Sequence, residues 1–401
     1  MEPQKFLLLE SIHPVAHEIL AAEGFTVAAA AGALKESELV DRVRGVNVIG
    51  LRSKTRITKA VLDAAPDLVA VGAFCIGTNQ IDLVHANRLG VPVFNAPFSN
   101  TRSVAEMIIA EIVVLARELG DRSREVHSGA WKKSAAASYE VRGKTLGVVG
   151  YGHIGRQVGV LAESLGMRVF FYDIAQRLQM GNNHPCSSLD ELLGIADFVT
   201  LHVPETPLTK NMIAGTQLAR MKRGAYLLNA SRGTVVDVDA LADAIQNGHV
   251  AGAAIDVFPE EPETNVESGF VSPLQNLPNV FLTPHVGGST LEAQQSIGRE
   301  VSTTLTRFLR SGATTGAVNF PAIELDRSPG RHRVAHVHRN VPGVLRDVNR
   351  IVGDLNANIH AQILGTDSEI GYLIMDIDQD VAAPVCAALK ALSTTLHARQ
   401  L

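Results

Sequence analysis

Short apolar runs of strand length recur along the chain with helical stretches between them. In the first hundred residues these runs are FLLLE (6–10), VNVIGL (46–51), DLVAVGAF (67–74) and VPVF (91–94). Their apolarity is continuous rather than alternating, which marks strands covered on both faces. Pro14–Ala22 and Thr58–Ala64 lie between them with helical character. Strands alternating with helices predict parallel βαβ units. After the polar segment Ser99-Asn100-Thr101-Arg102-Ser103, the apolar density of IIAEIVVLA predicts one long helix from about Val104 to His127, buried between domains.

A second block opens at KTLGVVGYGHIG (144–155) and repeats the strand–helix unit through MRVFFYD, DFVTLHV, AYLLNAS, VAGAAIDVF and NVFLTPH. The helix at about Leu291–Ser311 and the strand-like AVNF (317–320) are expected to return to the first block. A loose segment from Asn319 to Arg331, with Pro321, Pro329 and Gly330, reads as a linker. Beyond it the pattern changes to RVAHVHR strand, PGVLRDVNRIVGDL helix, NIHAQILG strand, IGYLIMDI strand, VAAPVCAALKAL helix and TTLHAR strand. Val344, Leu345, Val348, Ile351, Val352 and Leu355 form one apolar stripe on the first of these helices. That βαββαβ order predicts a small ferredoxin-like domain.

Composition narrows the function classes. The 401 residues are 46% hydrophobic and 19% charged, enough for two or three packed domains. A net charge of −5 argues against a general nucleic-acid binder, and 5% aromatics against a base-stacking surface. No apolar run reaches the ~18 residues of a membrane span. MEPQKFLLLESIHP reads as a first strand rather than a leader segment. Cys75, Cys186 and Cys386 are scattered and odd in number, so neither a disulfide framework nor a metal site is expected, and a reducing cytoplasm is.

Two sets of residues carry chemistry. Gly150, Gly152 and Gly155 form G-Y-G-H-I-G between the strand TLGVV and the helical RQVGVLAESLG. Glycines at this spacing allow a tight turn, close approach of a pyrophosphate and close helix packing, with helix amides as donors. Asp173 ends the next strand, 18 residues beyond Gly155, where a carboxylate holds an adenosine ribose and repels a 2′-phosphate. NAD is therefore expected over NADP, although Arg177 stands nearby.

The second set sits at three strand ends: AYLLNASRG brings Arg232, AAIDVFPEEP brings Glu261, and VFLTPHVGGST brings His285. Ligands of open parallel sheets bind beyond the carboxyl ends of strands. Alcohol oxidation needs a base for the hydroxyl proton, a carboxylate to orient that base, and a cation for an anionic substrate. A histidine's ordinary pKa of ~6.5 suits the base. Spacing does not separate Glu260 from Glu261, and Asp256 is equally suited to accepting backbone amides.

MKRGAYLLNASRGTVVDVDAL, AAIDVFPEEP, LTPHVGGST and LHVPETPLTKNMI closely resemble the D-isomer-specific 2-hydroxyacid dehydrogenases. GLRSKT (50–55), FCIGTNQIDL (74–83) and FNAPFSNTRSVAE (94–106) are similar to members that oxidise D-3-phosphoglycerate. The resemblance spans essentially the whole chain. It implies two Rossmann-like doubly wound domains and a C-terminal ACT domain of ferredoxin-like type. The boundaries implied are a substrate-binding domain over 1–99 completed by 287–325, an NAD-binding domain over 100–286, and the ACT domain over 330–401.

It further implies that Arg232 binds substrate, and that Glu261 rather than Glu260 pairs with the acid/base His285. Cofactor contacts fall on His153, Ile154, Asp173, Ala230, Ser231, Asp256, Gly287 and Gly288 beside the three motif glycines. Substrate contacts fall on Arg52, Ser53 and Asn100, with Lys54 and Arg102 adjacent and Lys54 standing where some relatives carry arginine. Trp131, with Lys132 and Lys133, matches a segment near a neighbouring subunit's active site. In the C-terminal module His338, Asn340 and Asn358 match positions that hold L-serine between two such domains, which implies a homo-oligomer, expected as a tetramer. SPGR (328–331) carries one glycine and Pro329 where related hinges carry a glycine pair, so a stiffer linker is expected. The implied activity is NAD-dependent oxidation of D-3-phosphoglycerate under serine control. The alternatives are a reductase of another 2-oxoacid, such as 2-oxoglutarate or glyoxylate, or an NAD-sensing regulator without turnover.

Overall fold

The computed structural model describes residues 3–262, 266–327 and 330–401. The first block runs β1 (Lys5–Leu8), α1 (Pro14–Ala22), β2 (Thr26–Ala29), α2 (Glu36–Arg42), β3 (Val48–Leu51), α3 (Lys59–Asp63), β4 (Ala70–Ala73), α4 (Leu83–Arg88) and β5 (Val93–Asn95). The strands pair in parallel in the order β2-β1-β3-β4-β5, so the winding reverses between β1 and β3. β3 and β4 are buried at every residue, as their unbroken apolar runs predict. β2 and α2 escaped the pattern because they bury almost nothing: β2 is an edge strand without a fully buried residue, and α2 buries only Leu39.

Residues Asn100–Ala293 form a separate unit. It contains α5 (Thr101–Ala116), α6 (Leu119–His127), β6 (Thr145–Val149), α7 (His153–Ser164), β7 (Arg168–Tyr172), β8 (His184–Pro185), α8 (Leu189–Ile195), β9 (Phe198–Leu201), α9 (Gly215–Arg220), β10 (Ala225–Asn229), α10 (Val238–Gln246), β11 (Val250–Ile255) and β12 (Val280–Leu282). The seven strands are parallel in the order β12-β11-β10-β9-β6-β7-β8, again doubly wound, with the reversal between β6 and β9. The single long helix expected over Val104–His127 is two helices. Glu118 adopts a left-handed conformation (φ 51°) and breaks the run. The division follows the side chains: α5 buries eight residues, including Val104, Ile108, Ile112 and Leu115, whereas α6 (LGDRSREVH) buries none.

The chain then enters α11 (Leu291–Ser311), and residues Gln294–Leu401 fold with Met1–Ser99 as the other unit. In that unit Val301, Leu305 and Phe308 of α11 pack into the first sheet's core with Phe6, Phe74 and Phe94. Ala317 bridges Phe94, and Val318 donates to the Val93 carbonyl at 2.8 Å. The segment expected as a loose linker is tied down at its start. Asn319 bonds the Val93 amide and Val91 carbonyl, and Phe320 and Ile323 are buried. Ser328 and Pro329, on which the stiff-hinge expectation rests, lie outside the described residues.

The last block is β13 (His332–Arg339), α12 (Val344–Asp354), β14 (Ile359–Thr366), β15 (Ile370–Ile377), α13 (Ala382–Lys390) and β16 (Thr395–Gln400). Its antiparallel sheet, in the order β14-β15-β13-β16, is the ferredoxin-like arrangement. The two helices cover one face through Val344, Val348, Val352, Val385 and Leu389, while Leu345 of the expected stripe is exposed. The other face, with Ala335, Val337, Tyr372 and Ile374, shares a core with the first block. The fully buried Arg333 is held there by both Asp376 oxygens (2.7 and 2.9 Å) and by the carbonyls of Ser311, Leu325 and Asp326.

Candidate active site

β10, β11 and β12 are neighbours in the second unit's sheet, so the segments leaving their carboxyl ends converge. His285 Nδ1 lies 2.7 Å from Glu261 Oε2, and the other Glu261 oxygen accepts the Phe258 amide at 3.1 Å. Glu260 is exposed and takes no part. The bond to Glu261 raises the His285 pKa above its ordinary 6.5, against burial and the Arg232 charge, with Asp256 adding a further raising field. Burial pushes the Glu261 carboxyl upward, but the His285 bond and charge, the Phe258 amide and Arg232 together bring it below its ordinary value.

His285 holds a left-handed backbone (φ 54°), a strained state for a side-chain-bearing residue. Asp256 supplies the restraint. Its carbonyl accepts the His285 amide (2.8 Å), and its buried carboxylate accepts Thr283 Oγ1 (2.5 Å) and the amides of Val286 (2.8 Å) and Gly287 (2.9 Å). Of the two readings open from sequence, the structure displays the amide-holding one at Asp256. Arg232 sits where two loops nearly touch: a Cβ on Gly233 would fall 1.9 Å from the Phe258 carbonyl carbon. Only glycine brings the Arg232 loop this close to the Glu261 loop.

Each glycine of the G-Y-G-H-I-G turn has a different surrounding. Gly150 takes φ 89°, and a Cβ on it would lie 2.3 Å from the His202 carbonyl. On Gly155 a Cβ would lie 2.2 Å from the Gly150 carbonyl, whereas Gly152 has open space. The first and third glycines close the turn, and the middle one leaves room for a ligand. α7 starts here at His153 and Ile154, without a side-chain cap on Gly152. Asp173, at the end of β7, accepts the Tyr151 and Ala175 amides at 2.9 Å and pairs with Arg177 at 3.2 Å. His202 Nδ1 and Asn100 Oδ1 are buried without a hydrogen-bond partner among the described residues. An open, glycine-floored helix start with a carboxylate on the following strand fits NAD; Gly150, Gly152, Gly155 and Asp173 would hold it.

The remaining expected residues fall as follows. Ala230 and Ser231 follow β10, Ser231 giving its amide and hydroxyl to Asn229 Oδ1. Gly288 packs against the Asn100 amide group. Arg52, Ser53 and Lys54 form the loop after β3 in the other unit. Trp131 is 84% exposed, and Lys132 pairs with Glu125. Asn340 and Asn358 are exposed, but His338 is only 4% exposed, its ring laid against Gly371. His338 pairs with Gly371, while Asn358 precedes Ile359, which pairs with Ile377. Six residues along β15 separate these ends by about 20 Å, so one chain does not bring the three together.

Several residues of these sites were not singled out from the sequence. Asn229, read only as part of a strand, braces the Arg232 loop through Ser231 and the Arg232 carbonyl (2.9 Å). Glu111 is buried in α5, and burial, then the Asp256 charge, pushes its carboxyl up to about 8. Its place amid IIAEIVVLA was the available hint. His202 is neutral, lowered by burial to about 3. Among the described residues there is no cluster of three metal-ligating side chains, and no helix is long and apolar enough to cross a membrane.

Fold and site together define an NAD-linked oxidoreductase of hydroxyacids, and the comparisons agree. Residues 109–287 match the D-isomer specific 2-hydroxyacid dehydrogenase, NAD binding domain, and residues 334–397 match the AHAS small subunit-like ACT domain. The chain belongs to the D-isomer specific 2-hydroxyacid dehydrogenases. Within that family it is 52% identical over 400 residues to D-3-phosphoglycerate dehydrogenase of Escherichia coli (strain K12), covering 99% of this chain and 97% of the relative. It is 49% identical over 397 residues to D-3-phosphoglycerate dehydrogenase of Dictyostelium discoideum, with the same coverage. Among solved structures, D-lactate dehydrogenase from Aquifex aeolicus, complexed with NAD and lactic acid, superposes with a TM-score of 0.69 at 28% identity. That match covers 79% of this chain and all of the other.

Proposed function

We propose that the chain oxidises D-3-phosphoglycerate to 3-phosphohydroxypyruvate with NAD, the first step of L-serine synthesis. The observation that carries the chemistry is the His285–Glu261 bond beside Arg232. With Nδ1 committed to Glu261, His285 uses Nε2 to take the substrate hydroxyl proton. Glu261 stabilises the resulting imidazolium. Arg232 orients the substrate carboxylate and the side on which the carbonyl develops. Arg52 and Ser53 hold the phosphate, and Asn100 contributes a polar contact. NAD, when bound, accepts the hydrogen and electron pair leaving the carbinol carbon.

Steady-state kinetics test the substrate. Saturable NAD-dependent turnover of 3-phosphoglycerate, with D-glycerate much poorer, supports the reading. Preference for 2-oxoglutarate or glyoxylate reduction, or tight NADH binding with no turnover, replaces it.

L-serine is the proposed regulator, bound by His338 and Asn340 of one copy and Asn358 of another. The roughly 20 Å separation within one chain supports a site shared between copies. The assembly is a homo-oligomer, taken as a tetramer with two kinds of two-fold interface. Cys75, Cys186 and Cys386 form no disulfide with one another, which supports the cytoplasm as its compartment.

A further inference from the structure

Just past β1, after Leu9, come two successive side-chain-bearing residues in left-handed conformation, Glu10 (φ 62°) and Ser11 (φ 48°). Each such residue costs of order 1–2 kcal/mol, and strain of this kind persists where the surroundings impose it. The Glu10 side chain shows what it accomplishes. It is 8% exposed, and its carboxylate accepts three backbone amides of the loop after β3: Arg52 at 3.3 Å, Lys54 at 3.0 Å and Thr55 at 2.7 Å. β1 and β3 flank the point where the first sheet's winding reverses, the crevice where doubly wound sheets bind ligands.

Successive amides converging on an anion form a backbone anion cradle, and here the anion is built into the chain. Gln80 secures the loop from its carbonyl side, donating to the Arg52 carbonyl at 2.7 Å. Three of the four amides from Arg52 to Thr55 are therefore already committed. The exposed Ser53, whose amide and hydroxyl take no partner among the described residues, is left to meet a ligand together with the Arg52 side chain.

We infer that Glu10 is a positioning residue that sets affinity for the phosphorylated end of the substrate by fixing the Arg52–Thr55 loop from behind. The inference rests on the reading of Arg52 and Ser53 as the phosphate-holding groups. The Arg52 and Thr55 amides share one Glu10 oxygen and the Lys54 amide takes the other. Glu10→Gln therefore turns one of these two acceptors into an N–H₂ facing N–H donors and removes the charge, and the loop must move while the chemistry in the other unit is untouched. Expected at saturating NAD are a KM for 3-phosphoglycerate raised at least tenfold and a matching rise in the inhibition constant of competing inorganic phosphate. The kcat is expected within twofold of wild type, with NADH affinity unchanged. Glu10→Asp, one methylene shorter, is expected to fall between, and it serves as the test if Glu10→Gln does not fold. An unchanged KM, or a fall in kcat that accounts for the loss, overturns the inference while wild-type turnover of 3-phosphoglycerate stands. Absence of that wild-type turnover overturns the substrate reading itself, and this inference with it.

Discussion

His285 Nδ1 and Glu261 Oε2, 2.7 Å apart, titrate as partners, the histidine raised and the carboxylate lowered. A raised histidine stabilises the fold fully below the unfolded value of 6.5 and loses that contribution as pH rises through the folded value. The lowered carboxylate contributes above its ordinary 4.5 and loses it as pH falls through the folded value. Oxidation needs the neutral imidazole, so kcat/KM is expected to climb with pH through a midpoint above 6.5. Glu261→Gln is expected to move that midpoint downward and slow turnover by roughly 10²-fold. A pH–rate profile of both proteins checks it; an unmoved midpoint would separate Glu261 from the base.

Asp256→Ala removes the acceptor of two amides and a hydroxyl at once. Each buried donor left unpaired costs about 1–3 kcal/mol. A large drop in unfolding midpoint is expected, together with at least a tenfold loss of kcat as His285 relaxes from its left-handed backbone. Thermal unfolding and initial rates measured on one preparation read both.

Gly233→Ala places a methyl inside the Phe258 carbonyl, where only backbone can give way. Turnover is expected to fall by more than 10-fold through displacement of Arg232, with NADH binding retained because the α7 turn lies elsewhere in the sheet. Parallel rate and fluorescence-binding measurements decide it, and wild-type rates would contradict the loop geometry.

Asn340→Ala cuts an exposed side chain whose bond is to the Asp367 carbonyl. It is expected to leave kcat intact and to weaken L-serine inhibition by tenfold or more. A serine titration up to millimolar levels distinguishes the outcomes, and a flat wild-type curve would remove serine regulation without touching the catalytic assignment.

Legibility from sequence followed locality. Gly150, Gly152, Gly155 and Asp173 could be read because their turn, helix start and strand end are contiguous. Arg232, Glu261 and His285 stood out as polar groups at the ends of apolar strands. What escaped was either weakly buried or nonlocal. β2 and α2 bury too little to leave a pattern. The break at Glu118 falls on a side-chain-bearing residue, with Gly120 two positions further on inside the next helix rather than at the break itself. Glu10 meets its loop 42 to 45 residues away, a distance at which one sequence gives no pairing information. His338 fits a ligand motif in sequence but lies almost wholly inside its own domain.

The sheet face of the last domain has a consequence for how the gene can be shortened. Ala335, Val337, Ile370, Tyr372 and Ile374 form one oily layer with Phe94, Phe308 and Phe320. A chain ending before Arg331 would keep every group assigned to catalysis and yet bare the Phe94, Phe308 and Phe320 side of that layer to water. Exposed apolar patches of this kind drive self-association. Such a truncation is expected to aggregate rather than serve as a minimal catalyst, so the ACT domain also works as the stopper on the first block's core.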